Sequence, residues 1–147
     1  MRKTTKKAED TKKIAGQLAR KILKRGPGGG ATVIALRGEL GSGKTTFVQG
    51  FYSGFGLKKR AVSPTFIILR RTALKNKNGF KNLFHMDTYR LRSAGDTGPL
   101  GLKKLFKEPG NLFLIEWAEN IKKALPKETA WIKFFHGKTD KERTLIF

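Results

Sequence analysis

Eight consecutive residues, 38–45, have the types and spacing of a loop that binds phosphate. They read G-E-L-G-S-G-K-T and match the pattern G-x-x-x-x-G-K-T. In such a loop the glycines let successive backbone N–H groups point at one phosphate, and the lysine adds a positive charge beside the next. The threonine hydroxyl is a ligand for Mg²⁺, and the helix that starts there directs its positive end at the same anion. The motif predicts a site for a nucleoside triphosphate with Mg²⁺, formed by Gly38, Glu39, Leu40, Gly41, Ser42, Gly43, Lys44, Thr45 and Thr46.

The segments on either side of this loop fit that prediction. Residues 32–36 are an apolar, β-branched run, which predicts a strand buried on both faces. Residues 45–55 predict a helix that ends near Gly56, with one apolar stripe formed by Phe47, Val48, Phe51 and Phe55. The alternative is a glycine-rich turn that only joins a strand to a helix, and the order strand, loop, helix favours the phosphate site.

Two carboxylates are placed where a phosphate loop needs a second element. Asp87 ends the run 83–86 and Glu116 ends the run 112–115. A carboxylate at the end of a neighbouring strand holds Mg²⁺ and positions the attacking water. Asp87 is interpreted as a metal ligand, with a helix cap or a loop acid as the alternative. Glu116 ends the more hydrophobic strand, where a carboxylate is costly to bury unpaired, so we expect it to polarise the water or to support the metal.

Three further side chains are candidates with simpler alternatives. Thr65 lies in a Ser-Pro-Thr turn, and its hydroxyl could serve catalysis by meeting the γ-phosphate or the metal, or be a surface hydroxyl. His85 shares a strand face with Asp87, and we favour a packed core histidine over support of the site. Trp117 could stack on a base or on a partner surface, although an aromatic beside a buried strand is more often packing.

The remaining pattern predicts one α/β domain over residues 1–147. A basic helix over about 10–25, capped by Asp10 or Thr11, is followed by a glycine-rich stop. The other predicted elements are a strand over 66–69, a hairpin tip at 76–79, a return strand over 80–87, a short helix over about 100–106, a buried strand over 111–117, and a C-terminal strand pair within 131–147.

Composition restricts the class of protein. The 147 residues include no cysteine, which excludes disulfides and thiolate metal sites. We find no apolar run long enough for a membrane helix and no signal-like segment, so we expect no membrane association and a cytoplasmic location. The formal charge of +21 comes from 32 basic and 11 acidic residues. It is compatible both with contact to a nucleic acid and with the general surface chemistry of the source organism.

Five blocks in order resemble the TsaE family, also called YjeE. The blocks are residues 38–47, Ser63-Pro64-Thr65-Phe66, residues 85–91, Gly101-Leu102, and Leu114-Ile115-Glu116-Trp117. The resemblance implies a P-loop NTPase fold, a three-layer α/β/α sandwich around a mixed, partly parallel sheet. It also implies a slow ATPase of tRNA threonylcarbamoyladenosine (t6A) biosynthesis that binds ATP and Mg²⁺. Its implied partners are TsaB and TsaD, which modify adenosine 37 of tRNAs that read codons beginning with A.

The resemblance also implies roles for single residues. Lys44 and Thr45 would hold phosphate and Mg²⁺, Thr65 would belong to a loop that senses the nucleotide, and Asp87 would be the metal carboxylate. Glu116 would be the acid after the second buried strand, with Trp117 beside it at a partner surface. Three features depart from the family: Thr88 replaces an apolar residue, residues 92–100 lack a glutamate-rich helix start, and the positive charge is high.

Two other functions use the same features. A small nucleotide or metabolite kinase would share the phosphate loop, but it needs an acceptor site and usually an arginine-bearing lid. Arg70, Arg71, Arg90 and Arg92 are available for such a lid. A basic RNA-binding module would explain the charge, but the chain has no aromatic and basic signature of a recognised RNA-binding fold.

Overall fold

A seven-stranded mixed sheet forms the centre of the molecule, in a computed structural model that describes residues 1–58 and 69–147. The strands are β1 (Arg2–Thr5), β2 (Thr32–Arg37), β3 (Leu69–Lys77), β4 (Phe80–Asp87), β5 (Asn111–Glu116), β6 (Ala130–His136) and β7 (Arg143–Ile146). Their order across the sheet is β1-β7-β6-β2-β5-β4-β3. The four central strands β6, β2, β5 and β4 are parallel, whereas β3 and β7 run antiparallel to their neighbours. The α/β fold class with a mixed, partly parallel sheet is therefore confirmed.

Helices cover both faces of the sheet and make three layers. One face packs against α1 (Ala8–Arg25) and α2 (Lys44–Gly54). The other face packs against α3 (Leu102–Leu105) and two 3-10 helices, Ala94–Leu100 and Ala118–Ala124. Successive residues of a strand point to opposite faces, so Ile34 joins the α1–α2 core while Val33 and Ala35 join the other. This explains why β2 and β5 are apolar throughout.

The two long helices meet backbone to backbone. A Cβ added at Gly50 would lie 2.4 Å from the Cα of Lys12, and one added at Gly54 would lie 2.4 Å from the Cα of Gly16. Only glycine leaves room for this approach, because a methyl group cannot come so close to main-chain atoms. The apolar stripe of α2 lies beside this contact, with Phe47, Val48, Phe51 and Phe55 fully buried as predicted.

One prediction about local structure is wrong, and one strand was not predicted. Helix α1 begins at Ala8 with Lys7 at its N-cap, so neither Asp10 nor Thr11 caps it. The carboxylate of Asp10 instead accepts the backbone N–H of Lys6 from inside the first turn. The N-terminus also forms β1, which the sequence did not predict, because its exposed basic residues become a strand only by pairing with β7.

Several other boundaries match the predictions. The turn at Asn78 and Gly79 joins β3 to β4, with positive φ angles at both residues, as the hairpin tip requires. The C-terminal pair is β6 and β7, which are antiparallel.

The helix predicted over about 100–106 is shorter than expected and is present only as α3. A 3-10 helix precedes it, although Pro99 lies within that helix. In the described ranges no helix is both long and apolar enough to cross a bilayer.

Candidate nucleotide-binding site

The phosphate-loop motif joins the end of β2 to the start of α2, as predicted. Gly41 and Gly43 have φ angles of 73° and 101°, a region that residues with a Cβ rarely adopt. Gly38 is required by packing, because a Cβ there would lie 2.6 Å from Ser42 Oγ and 2.7 Å from the Phe134 carbonyl oxygen. The loop therefore curls against β6, and the free N–H groups at the start of α2 lie beside it.

Two side chains from the C-terminal strands hold the tip of the loop. Arg143 Nε donates to the Gly41 carbonyl at 3.0 Å, and His136 Nε2 lies 3.1 Å from the Leu40 carbonyl. Neither contact was predicted, because more than ninety positions separate each pair in the chain. Nothing in the local sequence indicates them, and they depend on β6 lying next to β2.

Lys44 lies inside the loop, and only 5% of the residue is exposed. Its amino group donates to the carbonyl oxygens of Gly38, at 2.5 Å, and Glu39, at 2.9 Å, and lies 4.1 Å from the ring centroid of Trp117. Burial lowers the pKa of the Lys44 amine, and the carboxylates of Glu116, Glu119 and Asp87 act against that shift. The charge is thus at the mouth of the loop, where a phosphate would meet it.

Glu116 connects the loop helix to the sheet. Thr45 Oγ1 donates to Glu116 Oε1 at 2.8 Å, and His85 Nε2 lies 2.6 Å from Glu116 Oε2. Glu116 is 2% exposed and His85 is completely buried. A buried carboxylate needs such partners, since an unpaired charge in a low-dielectric interior is strongly unfavourable. His85 is buried, as the preferred interpretation of a core histidine predicts, and it also contacts the candidate carboxylate.

Asp87 lies next to Glu116 because β4 and β5 are parallel and pair these two residues in register. Its Oδ1 accepts the backbone N–H of Tyr89 at 2.9 Å. Burial raises the pKa of the Asp87 carboxyl, the Tyr89 N–H opposes the shift, and the charge of Glu116 adds to it. Two carboxylates side by side repel each other, so a cation between them would be favoured.

The donor set fits Mg²⁺. No group of three or more His, Cys, Asp or Glu side chains that could hold a metal occurs in residues 1–58 and 69–147. Mg²⁺ does not require one, because it keeps several waters and usually takes one or two carboxylates with the substrate phosphates. The hydroxyl of Thr45 already contacts Glu116, and Asp87 lies in the adjacent strand. A magnesium ion is therefore compatible with these three residues.

Trp117 and Glu119 lie at the start of the second 3-10 helix. Trp117 has a φ of 58°, and its ring contacts both the Lys44 amine and the ring of Tyr89, whose centroid is 4.8 Å away. Thr88 is completely buried and its hydroxyl donates to the carbonyl oxygens of Glu116 and Trp117, which fixes this turn. Glu119 was missed by the sequence reasoning, although it lies only three residues beyond Glu116. Its Oε2 is buried without a hydrogen-bond partner among the described residues.

The structure brings most of the predicted site together. Lys44, Thr45, Asp87, Glu116 and Trp117 surround the open end of the loop, at the carboxyl ends of parallel strands. Ligands bind at this edge in open α/β sheets. Thr65 lies outside the described residues. The functional roles assigned to these residues stay predictions.

Comparison with known proteins gives the family. A sequence model for "Threonylcarbamoyl adenosine biosynthesis protein TsaE" matches residues 5–145. The chain belongs to the TsaE family. It is 37% identical over 139 residues to the tRNA threonylcarbamoyladenosine biosynthesis protein TsaE of Bacillus subtilis. This match covers 95% of this chain and 79% of that protein. It is 35% identical over 132 residues to the Treponema pallidum protein of the same name, with 90% and 89% covered.

A solved structure supports the same assignment. The crystal structure of Bacillus subtilis YdiB superposes with a TM-score of 0.75 at 32% sequence identity. The match covers 99% of this chain and 82% of the YdiB chain. The family places this protein in t6A biosynthesis, the tRNA modification pathway after which its relatives are named.

Proposed function

We propose that this TsaE family member binds MgATP at the loop 38–45 and hydrolyses it slowly. In this proposal hydrolysis supports the threonylcarbamoylation of adenosine 37 in tRNAs that read codons beginning with A, in the cytoplasm and together with a TsaB–TsaD complex. The observation that carries the ATPase assignment is the hydrogen bond of 2.8 Å between Thr45 Oγ1 and Glu116 Oε1. It joins the end of the phosphate loop to a buried carboxylate that can act on a water.

The loop would hold the triphosphate through its backbone and through Lys44. The Lys44 amine donates to two loop carbonyl oxygens. A phosphate oxygen is a stronger acceptor for an ammonium group than a carbonyl, so the amine would turn from the loop to the β- and γ-phosphates. This movement would change its distance from the Trp117 ring, which is 4.1 Å here. The fluorescence of Trp117 would therefore report nucleotide binding.

Thr45, Asp87 and Glu116 would hold Mg²⁺ directly or through water. The ion would neutralise charge on the phosphates when it is bound. In this arrangement Glu116 would both support the metal and act on the attacking water. One of its oxygens contacts Thr45 and the other contacts His85. The contact with His85 fixes the orientation of the carboxylate, and a fixed carboxylate can accept a proton from the attacking water.

The nucleoside would lie on the side of the loop away from the carboxylates Asp87 and Glu116. A cavity of about 480 Å³ adjoins Gly41, Gly43 and Thr46, and Arg143 contributes to its wall. Thr46 follows Thr45 along α2, so a triphosphate held at Thr45 would extend past Thr46 into this space. We propose that the ribose and the base bind there.

The rings of Trp117 and Tyr89 would form part of the partner surface. Tyr89 is 61% exposed, which is high for an aromatic residue packed against another. Aromatic residues of this kind are enriched in protein interfaces. Since Trp117 also contacts Lys44, a partner bound here would act directly on the nucleotide site.

The test is phosphate release from MgATP by the purified chain, alone and with the TsaB–TsaD pair from the same source, each with and without tRNA. We expect slow release alone and faster release with the pair. Nucleotide binding is followed by Trp117 fluorescence in a Trp131→Phe background, and Lys44→Ala should abolish it. Equal ATP affinity of the unsubstituted chain and Lys44→Ala would refute the assignment of the loop as the ATP site. A rate that no partner changes, or transfer of phosphate to a small acceptor, would refute the proposed role in the pathway.

A further inference from the structure

Four lysines surround one surface cavity on the face of the sheet opposite α1 and α2. The cavity measures about 640 Å³ and is lined by residues of the first 3-10 helix, α3 and the end of the second 3-10 helix. Its basic residues are Lys103, Lys104, Lys107 and Lys123, and all four are exposed. We name this set the lysine cavity. Among the described residues, no aspartate or glutamate lines it.

No ion pair among the described residues neutralises the lysine cavity, although Glu108 follows Lys107 in the chain. None of its four lysines forms an ion pair with a carboxylate in the part of the chain that the structure describes. The nearest acid along the first 3-10 helix, Asp96, accepts the backbone N–H groups of Arg92 and Ser93 and so serves the capping of that helix. Four ammonium groups grouped in this way repel each other, and an anion with several charges would relieve the repulsion.

We infer that the lysine cavity binds the phosphate backbone of RNA. The whole chain carries a formal charge of +21, and the pathway of the family acts on tRNA, a polymer of closely spaced phosphates. Several separate lysines match a chain of phosphates better than a single small anion. None of the lining residues that the structure describes is aromatic and able to stack on a base, so the contact is to the backbone and independent of base sequence.

The position of the cavity connects it to the nucleotide site. Lys123 lies in the last turn of the second 3-10 helix, and Trp117 and Glu119 lie at the start of the same helix. RNA held at the end of this helix would therefore touch the element whose first residues surround Lys44. The inference is independent of ATP hydrolysis, because RNA binding is measured on the chain without nucleotide.

The experiment compares two variants of equal charge. The first carries Lys→Gln at the lysine cavity, and the control carries Lys→Gln at four exposed lysines elsewhere, Lys13, Lys21, Lys24 and Lys138. Both lose four positive charges. Binding of a tRNA transcript is measured by anisotropy over a salt series, in EDTA and without ATP. MgATP binding and the melting temperature confirm that both variants are folded.

We expect the cavity variant to lose far more affinity than the control. Each lysine–phosphate contact contributes about 0.7 to 0.9 to the slope of log K against log salt, so four contacts change the slope by about 3. At 0.1 M salt the same relation, taken from equal binding at about 1 M, gives a loss of affinity of about three orders of magnitude. The double variant Lys103→Gln with Lys107→Gln should lose about half of that slope change.

Three results would overturn the inference. Equal loss in the cavity variant and in the control would show that the charge acts diffusely. Undetectable tRNA binding by the unsubstituted chain at 50 mM salt would show that the chain does not bind RNA. Intact tRNA binding by the cavity variant with loss of binding to the TsaB–TsaD pair would make the lysine cavity a protein interface.

Discussion

Replacing Glu116 with glutamine separates the charge of this residue from its packing. The amide has nearly the size of the carboxylate and keeps an oxygen that can accept the hydroxyl of Thr45, now 2.8 Å from Oε1. On the other side, the amide N–H₂ can donate to His85 Nε2 if the imidazole carries its proton on Nδ1. This tautomer exchanges the present contact between Nε2 and the carboxylate for one in which Nε2 accepts, and it costs Nδ1 no described partner. We therefore expect the fold to be kept.

The expected effect is on hydrolysis. A positioned general base accelerates proton transfer about 10²- to 10⁴-fold, which corresponds to about 2.7 to 5.5 kcal/mol in the barrier. Glu116→Gln should lower phosphate release by that factor and change nucleotide affinity by less than about tenfold, because Lys44 and the loop backbone remain. In stability, the loss of one charged hydrogen-bond partner amounts to about 1.5 to 3 kcal/mol at most.

The assay is single-turnover phosphate release, with affinity measured separately by Trp117 fluorescence. Glu119→Gln is the matched control, since this second carboxylate also acts on the charge of Lys44 but makes no hydrogen bond to Thr45. Its effect should be below tenfold. Retention of more than a tenth of the activity by Glu116→Gln would show that Glu116 is no general base, and a larger loss for Glu119→Gln would move the role to that residue.

Two further predictions concern stability. Since burial raises the pKa of the Asp87 carboxyl, its ionised form destabilises the fold at neutral pH. Asp87→Asn should raise the melting temperature at pH 7 and lose that advantage as the pH falls and the wild-type carboxyl protonates. The ratio of ATP affinities in Mg²⁺ and in EDTA should drop. A difference in melting temperature between variant and wild type that stays the same at pH 7 and at acidic pH would contradict this. Gly50→Ala should separate α1 from α2 and destabilise by about 2 kcal/mol, or roughly 4–8 °C in thermal melts. Its control, Gly98→Ala, meets no atom within 4 Å and should melt like the wild type.

The local pattern of the chain was enough to predict the central part of the fold. Strand β5 is apolar at every position up to Glu116 apart from Asn111, and such a run indicates burial on both faces. The alternation of side chains also implies that Leu112, Leu114 and Glu116 share the face that α2 covers, which the structure confirms. These features are local, and they depend only on residue type and spacing.

Contacts between distant segments could not be predicted in the same way. The hydroxyl of Thr88 fixes the turn after β5, and a threonine after a strand would equally suit a surface loop. The basic N-terminal residues form β1 only because β7 offers a free edge. The pattern of exposed and polar residues in these segments is compatible with several structures, so pairing decides between them.

The sequence by itself determined the phosphate loop, the strand before it, the helix after it and the two carboxylates, because each depends on a short run of residues with its own geometry. Tertiary structure decided which groups meet. By placing β5 directly beside β2, it brought Glu116 to Thr45 and left Asp87 one strand further away. It also buried His85 against Glu116 and grouped four lysines from two segments around one cavity. Strand order is set by the burial of both sheet faces over the whole chain, and no short segment contains that information.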